Sequence, residues 1–182
     1  MVEQRSTLEY ALLGLIRGAP QSGYDLRKVF EETAMAGYSG SPGAIYPALR
    51  RLEHSGLIEG DVPDDTRRRR KEFRLTERGR AVLLDWLALP VTHDDVALRF
   101  PELMLRFVFL SFDESDSLTL RFLERLESHL GEYIADLKVQ REQLPLTMHG
   151  RLALEGGIAS SEARHRWALE AQESFRRKGD RR

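Results

Sequence analysis

The stretch that decides the fold is SPGAIYPALRRLE, residues 41–53. Ser41 is a good helix N-cap and Pro42 suits the first helical position, so a helix is expected to open here. An apolar face follows with helical spacing, and its members are Ile45, Ala48, Leu49 and Leu52. Gly56 stands where a left-handed C-terminal cap would end the helix. The stretch therefore predicts a short amphipathic helix, the third along the chain.

The outward face of this third helix carries groups suited to contact with DNA, and they are Gly43, Tyr46, Pro47, Arg50 and Arg51. Glycine allows close backbone approach, and free amides at a helix start, together with Ser41, bind phosphate oxygens. Tyrosine and arginine contact phosphates or base edges. Pro47 removes a backbone donor and predicts an early kink that aims Tyr46 outward. Taken alone, the face is equally consistent with an ordinary solvated helix surface.

Two helices are predicted before this stretch. Residues 6–9, Ser-Thr-Leu-Glu, form a capping-box pattern for the first, and Ser22 can cap the second. Near the start of the second helix, Tyr24 and Lys28 are candidates for contact with backbone phosphate. Tyr24 is predicted with equal weight to be a core residue.

A change of period follows the third helix. Residues 57–75 predict a β-hairpin, because Phe73 and Leu75 alternate with polar residues and turn residues fill its middle. Strand alternation sends only about half of a basic run to one side, so part of the run can reach phosphate. The candidates are Arg68, Arg69, Arg70 and Lys71. The alternative is a charged hairpin that merely stays solvated. A helix after Thr76 completes the element order of a winged helix.

The C-terminal half has a different pattern, dominated by a long helix at about residues 115–144. Apolar residues recur there as an a/d seam, which indicates that the helix needs a partner. The dimerisation candidates are Phe107, Leu123, Leu126, Leu130, Tyr133, Leu137 and Trp167. A last helix follows Pro145, and its continuity through Gly156-Gly157 is left open.

The predicted fold class is mainly α with a small β-hairpin, in the form of a winged helix-turn-helix domain and a helical, coiled-coil-like dimerisation domain. The domains are expected at residues 1–90 and 99–176, joined by a linker at 91–98. Residues 177–182 are expected to be a basic, disordered tail.

Composition excludes several classes of protein. The chain has 182 residues, a net charge of −1 and no cysteine, which excludes disulfides and thiolate metal sites. No apolar run approaches the roughly 20 residues of a membrane span, and the N-terminus lacks a signal-peptide pattern. No catalytic or phosphate-loop motif is present, and His93-Asp94-Asp95 fits a solvated loop. The expectation is a cytoplasmic protein, not an enzyme, with no cofactor, metal or membrane association.

The motifs together resemble the PadR-type transcriptional regulators. The similarity covers residues 7–88 and is carried by 8–16, by 23–26 and above all by residues 41–53, with 56–58 and 73–79 continuing it in register. The C-terminal half is similar to the helical region of longer members, including the virulence-activator branch, with Trp167 as the best single point.

This resemblance implies a homodimer that reads double-stranded DNA at a near-palindromic operator. It also implies regulation, usually repression, sometimes relieved by a small-molecule effector near the dimer interface. Trp86 and Trp167 are the aromatic candidates for such a pocket, although buried core tryptophans are more common. A winged helix used only for protein–protein contact remains the alternative, because basic side chains also meet acidic partners.

Overall fold

The computed structural model describes residues 5–38, 42–61, 70–112 and 116–179. The chain divides into two compact units, Met1–Leu87 and Ala88–Arg182. We call them the N-terminal unit and the C-terminal unit.

The N-terminal unit has the predicted element order of three helices, a hairpin and a helix. Its elements are α1 Thr7–Gly18, β1 Gln21–Ser22, α2 Gly23–Glu32, α3 Ile45–His54, β2 Ile58–Asp61, β3 Glu72–Leu75 and α4 Glu77–Ala88. Turns of 3₁₀ helix at Ala34–Tyr38 and Pro42–Ala44 lie between α2 and α3. This order confirms the predicted fold class for this part of the chain.

The helix ends follow from local chemistry. At α1, the Ser6 hydroxyl accepts a hydrogen bond from the Glu9 amide at 3.3 Å, and the Glu9 carboxylate accepts one from the Ser6 amide at 3.0 Å. The predicted capping box is therefore present. At the end of α3, Gly56 has a φ of 67°, and Leu57 donates its amide to the Leu52 carbonyl at 3.0 Å. This left-handed cap ends α3 and turns the chain directly into β2.

The sheet has three antiparallel strands in the order β1–β3–β2. Gln21 pairs with Phe73, and Ile58 pairs with Leu75. The sequence predicted the hairpin but not β1, because a two-residue strand has no periodicity of its own. This third strand ties the first half of β3 to the start of α2.

The core of the N-terminal unit lies where the three helices meet the sheet. Fully or almost fully buried side chains include Leu12, Leu26, Ile45, Leu49 and Leu52. The Tyr10 and Trp86 rings stack with centroids 4.4 Å apart, which fixes α4 against α1. Trp86 is therefore a core residue.

A close backbone contact holds α4 against the chain that leaves α3. The Leu57 carbonyl accepts hydrogen bonds from the amide and the hydroxyl of Thr76, both at 3.1 Å. A Cβ atom added to Gly79 would lie 1.9 Å from this carbonyl oxygen. The absence of a side chain at Gly79 is what permits the contact.

All regular secondary structure in the described residues of the C-terminal unit is helical. Its elements are α5 His93–Leu98, α6 Phe100–Phe109, a 3₁₀ turn Leu110–Phe112, α7 Ser117–Gln143 and α8 Met148–Gly179. Helix α5 corrects the predicted linker at 91–98. Thr92 and Asp95 form a capping box, and Val96 is fully buried, so this segment packs like a helix.

Helix α7 packs along α8 of the same chain. Leu123, Leu126 and Leu130 are fully buried, and Leu137 is almost so. The Gln172 amide on α8 donates to the Leu123 carbonyl at 3.2 Å, and Lys138 pairs with Glu162 at 2.7 Å. The sequence predicted that this stripe needs a partner, and within the chain α8 packs along it. The role of these leucines in dimerisation stays a prediction.

The other dimerisation candidates also contact their own chain. The Phe107 and Trp167 rings meet edge to face with centroids 5.1 Å apart, and Tyr133 lies 5.6 Å from the ring of His93. Any role of these residues in dimerisation stays a prediction.

Helix α8 is continuous through Gly156 and Gly157 and extends to Gly179. The predicted disordered tail is therefore helical over 177–179, and 180–182 lie outside the described residues. Within the described part of the chain, no helix is both long and apolar enough to cross a membrane.

Candidate nucleic-acid interface

Helix α3 begins three residues later than predicted. The α-helix opens at Ile45, with Ala44 at the N-cap position and a 3₁₀ turn before it. A helix opening at Pro42 would place Pro47 where an intrahelical amide bond is needed, whereas here Pro47 lies in the first turn and loses none. Where the sequence predicted a kink near Pro47, the structure has a 3₁₀ turn at Pro42–Ala44 that changes to an α-helix at Ile45. The predicted cap, Ser41, lies outside the described residues.

The two faces of α3 differ as the sequence predicted. Ile45, Ala48, Leu49 and Leu52 are buried, whereas Gly43 and Arg50 are exposed and Tyr46 keeps 44% of its surface exposed. Tyr46 and Arg50 are four residues apart, so they lie on one side of the helix.

Gly23 sets the position of the Tyr46 ring. A Cβ atom at Gly23 would lie 2.8 Å from Tyr46 Cε1, closer than side chains approach. The start of α2 therefore needs glycine for the ring to pack over it. Sequence reasoning used this glycine only as part of a motif and missed its contact with Tyr46.

The residues that lead into β3 bring basic groups beside Tyr46. The Arg70 guanidinium lies 4.2 Å from the centroid of the Tyr24 ring, and Arg27 lies 5.5 Å from the same ring. Tyr24 is 42% exposed, so it is a surface residue and not the core residue of the alternative prediction. An aromatic ring that holds a guanidinium in this way fixes the direction of its N–H donors.

These residues surround a cleft of about 450 Å³. It is lined by Ser22, Gly23, Tyr24, Tyr46, Arg70, Lys71 and Phe73. Lys71 Nζ lies 2.6 Å from Glu53 Oε1, which joins β3 to α3. Two cations and two tyrosine hydroxyls beside an exposed helix face suit an anionic, planar partner such as nucleic acid.

The remaining candidates are placed differently. Lys28 is exposed on α2 and lies 3.7 Å from Glu32. Arg68 and Arg69 belong to residues 62–69, outside the described residues. Their contact with DNA stays a prediction.

Arg51 has a partner that the sequence did not reveal. Its Nε donates to Glu9 Oε1 at 2.9 Å, although 57% of the Arg51 side chain is exposed. Burial raises the pKa of the Glu9 carboxyl, but the hydrogen bonds from Ser6 and Arg51 outweigh it and lower the pKa below its ordinary value. Glu9 is therefore charged, and it ties α3 to the start of α1.

A second cleft, of about 710 Å³, lies beside this ion pair. It is lined by Arg5, Glu9, Pro47, Arg50, Arg51, His54 and Ser55. In the ranges that the structure covers, no group of three His, Asp or Glu side chains is arranged to hold a metal ion.

Three short helices, a β-hairpin packed on them and an exposed third helix define a winged-helix protein of the helix-turn-helix class. The chain belongs to the PadR-like family of transcriptional regulators, whose family model matches residues 12–85. It is 31% identical over 142 residues to the negative transcriptional regulator PadR of Bacillus subtilis strain 168, covering 75% of this chain and 74% of that protein. The family predicted from the motifs is confirmed.

Solved structures are similar over almost the whole chain. Bacillus subtilis PadR in complex with operator DNA has 22% identity and a TM-score of 0.44, with 94% of this chain and 99% of that chain covered. The Vibrio cholerae virulence activator AphA has 19% identity and a TM-score of 0.41, with coverages of 94% and 99%.

Proposed function

We propose that this regulator binds double-stranded DNA through α3 and the residues that lead into β3. The observation that carries the proposal is the single cleft shared by Tyr46 of α3 and by Tyr24, Arg70 and Lys71. In helix-turn-helix proteins, the recognition helix, here α3, enters the major groove, and flanking cations bind phosphates. Tyr46 and Arg50 then read or contact the groove, while Arg70 and Lys71 hold the backbone. Ser41, Gly43, Arg68 and Arg69 extend the same surface in this proposal.

We propose that Arg50 makes a direct contact, which predicts the effect of Arg50→Ala. This change should lower operator affinity by about 1–3 kcal/mol, roughly fivefold to 150-fold, without unfolding the protein, because the side chain is exposed. Fluorescence anisotropy against DNA upstream of the protein's own gene, compared with a scrambled duplex, measures the change.

Arg121→Ala on α7 is the matched control, because it removes an exposed arginine from the other unit. A preference of wild type for the native duplex by about 10³ or more supports specific regulation. Unchanged affinity in Arg50→Ala contradicts the assignment of Arg50. Failure of wild type to bind either duplex at low salt favours the protein–protein alternative.

We also propose that the protein acts as a homodimer through its C-terminal unit. Large exposed apolar side chains cluster in sequence around the turn between α7 and α8, and they are Val139, Leu144, Met148 and Leu152. Such side chains gain from burial against a second copy. Two copies would present two α3 helices to successive major grooves of a near-palindromic operator, roughly 34 Å apart.

The dimer proposal predicts that Met148→Glu combined with Leu152→Glu gives a monomer. Both side chains are more than half exposed, so the cooperative unfolding transition should remain while the dimer dissociates. Sedimentation velocity at several protein concentrations measures the state. Ser160→Glu combined with Ala163→Glu, at exposed positions further along α8, is the control. A variant that still sediments as a dimer would place the interface elsewhere.

Repression is the proposed outcome, because the Bacillus subtilis relative is a negative regulator. Relief of repression by a small-molecule effector is also proposed, and its support is the family resemblance.

A further inference from the structure

The cleft between the start of α1 and α3 is distinct from the one at the hairpin, since the described residues that line the two clefts do not overlap. It is strongly basic. Arg5, Arg50, Arg51 and His54 line it, and Glu9 is its acidic lining residue. A cleft of this composition suits an anion that approaches along the side of the third helix.

The contact between Glu9 and Arg51 leaves most of the guanidinium available. Glu9 is 6% exposed. Among the described residues, the hydrogen bond between the two side chains is donated by the Nε of Arg51. A guanidinium carries five N–H donors, so the four on the two terminal nitrogens remain for an outside acceptor. The buried carboxylate holds one edge of the fork, and 57% of the Arg51 side chain stays exposed. Arg51 is therefore held in place before any ligand arrives.

We infer that this cleft binds a backbone phosphate of the DNA, with Arg51 as its direct ligand and Glu9 as a positioning residue. The inference rests on the proposed DNA binding and adds a second backbone contact beside the one at the hairpin. A held guanidinium fork fits two phosphate oxygens, whereas a lysine in its place would act only as a point charge. Arg5 contributes positive charge around the same anion, and His54 lies in the same lining.

The decisive variant is the double change Glu9→Gln with Arg51→Gln. Arg51→Gln alone would leave the buried Glu9 carboxylate without its cation and is expected to destabilise the protein. In the double variant, two amides can hydrogen-bond to each other. The double change removes one positive and one negative charge, so the net charge of the protein stays at the wild-type value. Long-range electrostatics alone therefore predicts no change in DNA binding.

A direct phosphate contact predicts a clear loss. The slope of log affinity against log salt concentration should become shallower by about 0.9 on a nonspecific duplex, which corresponds to one phosphate contact. Affinity at low salt should fall about tenfold, the effect of one charge-assisted hydrogen bond. Fluorescence anisotropy compares the wild type, the double variant and Arg125→Gln, which removes an exposed arginine on α7. DNA affinity is measured from about 50 to about 200 mM salt, where it changes steeply with salt concentration.

Each outcome decides the inference. A shallower slope in the double variant with an unchanged slope in Arg125→Gln supports it. A wild-type slope in the double variant overturns it and leaves Arg51 as a structural partner of Glu9, with DNA binding itself intact. Stabilisation of the wild type by inorganic phosphate, lost in the double variant without any change in DNA slope, overturns it in favour of a free anion. A wild type that binds no duplex overturns it together with the proposed function.

Discussion

Replacing Leu130 with alanine is expected to lower the free energy of unfolding of the C-terminal unit by about 2–5 kcal/mol. Leu130 is fully buried where α7 packs along α8. Truncation removes apolar contacts on both helices, and two long helices cannot close the resulting cavity without shifting along their length. Denaturant unfolding followed by circular dichroism measures the loss.

Leu169→Ala is the matched control, because it makes the same change at an α8 side chain that is 41% exposed. Its effect should stay within about 1 kcal/mol. The Leu130→Ala variant also distinguishes a seam within one chain from a seam between two subunits. A seam within the chain leaves the dissociation constant of the dimer near the wild-type value in Leu130→Ala, whereas a seam between subunits weakens the dimer. A Leu130→Ala dimer that dissociates much more readily than the wild type would contradict the packing described above.

Gly79→Ala is expected to destabilise the N-terminal unit by about 3 kcal/mol, toward the upper end for overpacking. The added Cβ would meet the Leu57 carbonyl oxygen at 1.9 Å, so backbone must move. That oxygen already accepts two hydrogen bonds from Thr76, and its displacement would strain the junction of α3, β2 and α4. Thermal unfolding of the variant measures the loss, and DNA affinity should fall with it once the unit is partly unfolded.

Gly156→Ala provides the contrast. Nothing lies within 4 Å of a Cβ built at that position in the middle of α8. Alanine there should stabilise the helix by roughly 0.5–1 kcal/mol, because glycine is the poorer helix former. If Gly79→Ala were neutral or stabilising in the same way, the tight contact with Leu57 would be disproved.

The N-terminal unit was predictable because its signals are local. The capping box at Ser6, the cap at Ser22 and the left-handed Gly56 each depend on residues a few positions apart. Strand β1 was missed, since two residues gain their strand conformation only by pairing with β3. Helix α5 was missed although Thr92 and Asp95 carry a capping pattern, because the segment is short and polar.

The candidate interface was predicted in its residue types but not in its contacts. The exposure of Tyr46 and Arg50 follows from helical spacing. The ion pair between Arg51 and Glu9 joins residues 42 positions apart, and no local pattern encodes such a distance. The seam on α7 was read correctly as apolar and assigned to another subunit, because periodicity marks a stripe to be buried without saying what buries it.

The start of α8 has a consequence for how subunits would associate. Nearly all of the first ten residues of α8 are exposed, and its tight packing begins at Ile158, directly after the two glycines. Isolated helices shorter than roughly 12–15 residues are marginal in water, and glycine lowers their stability further. In a separated chain we therefore expect this segment to fray more readily than the packed part of α8. Association through Met148 and Leu152 would then be coupled folding and binding, with part of the interaction energy used to order the arm.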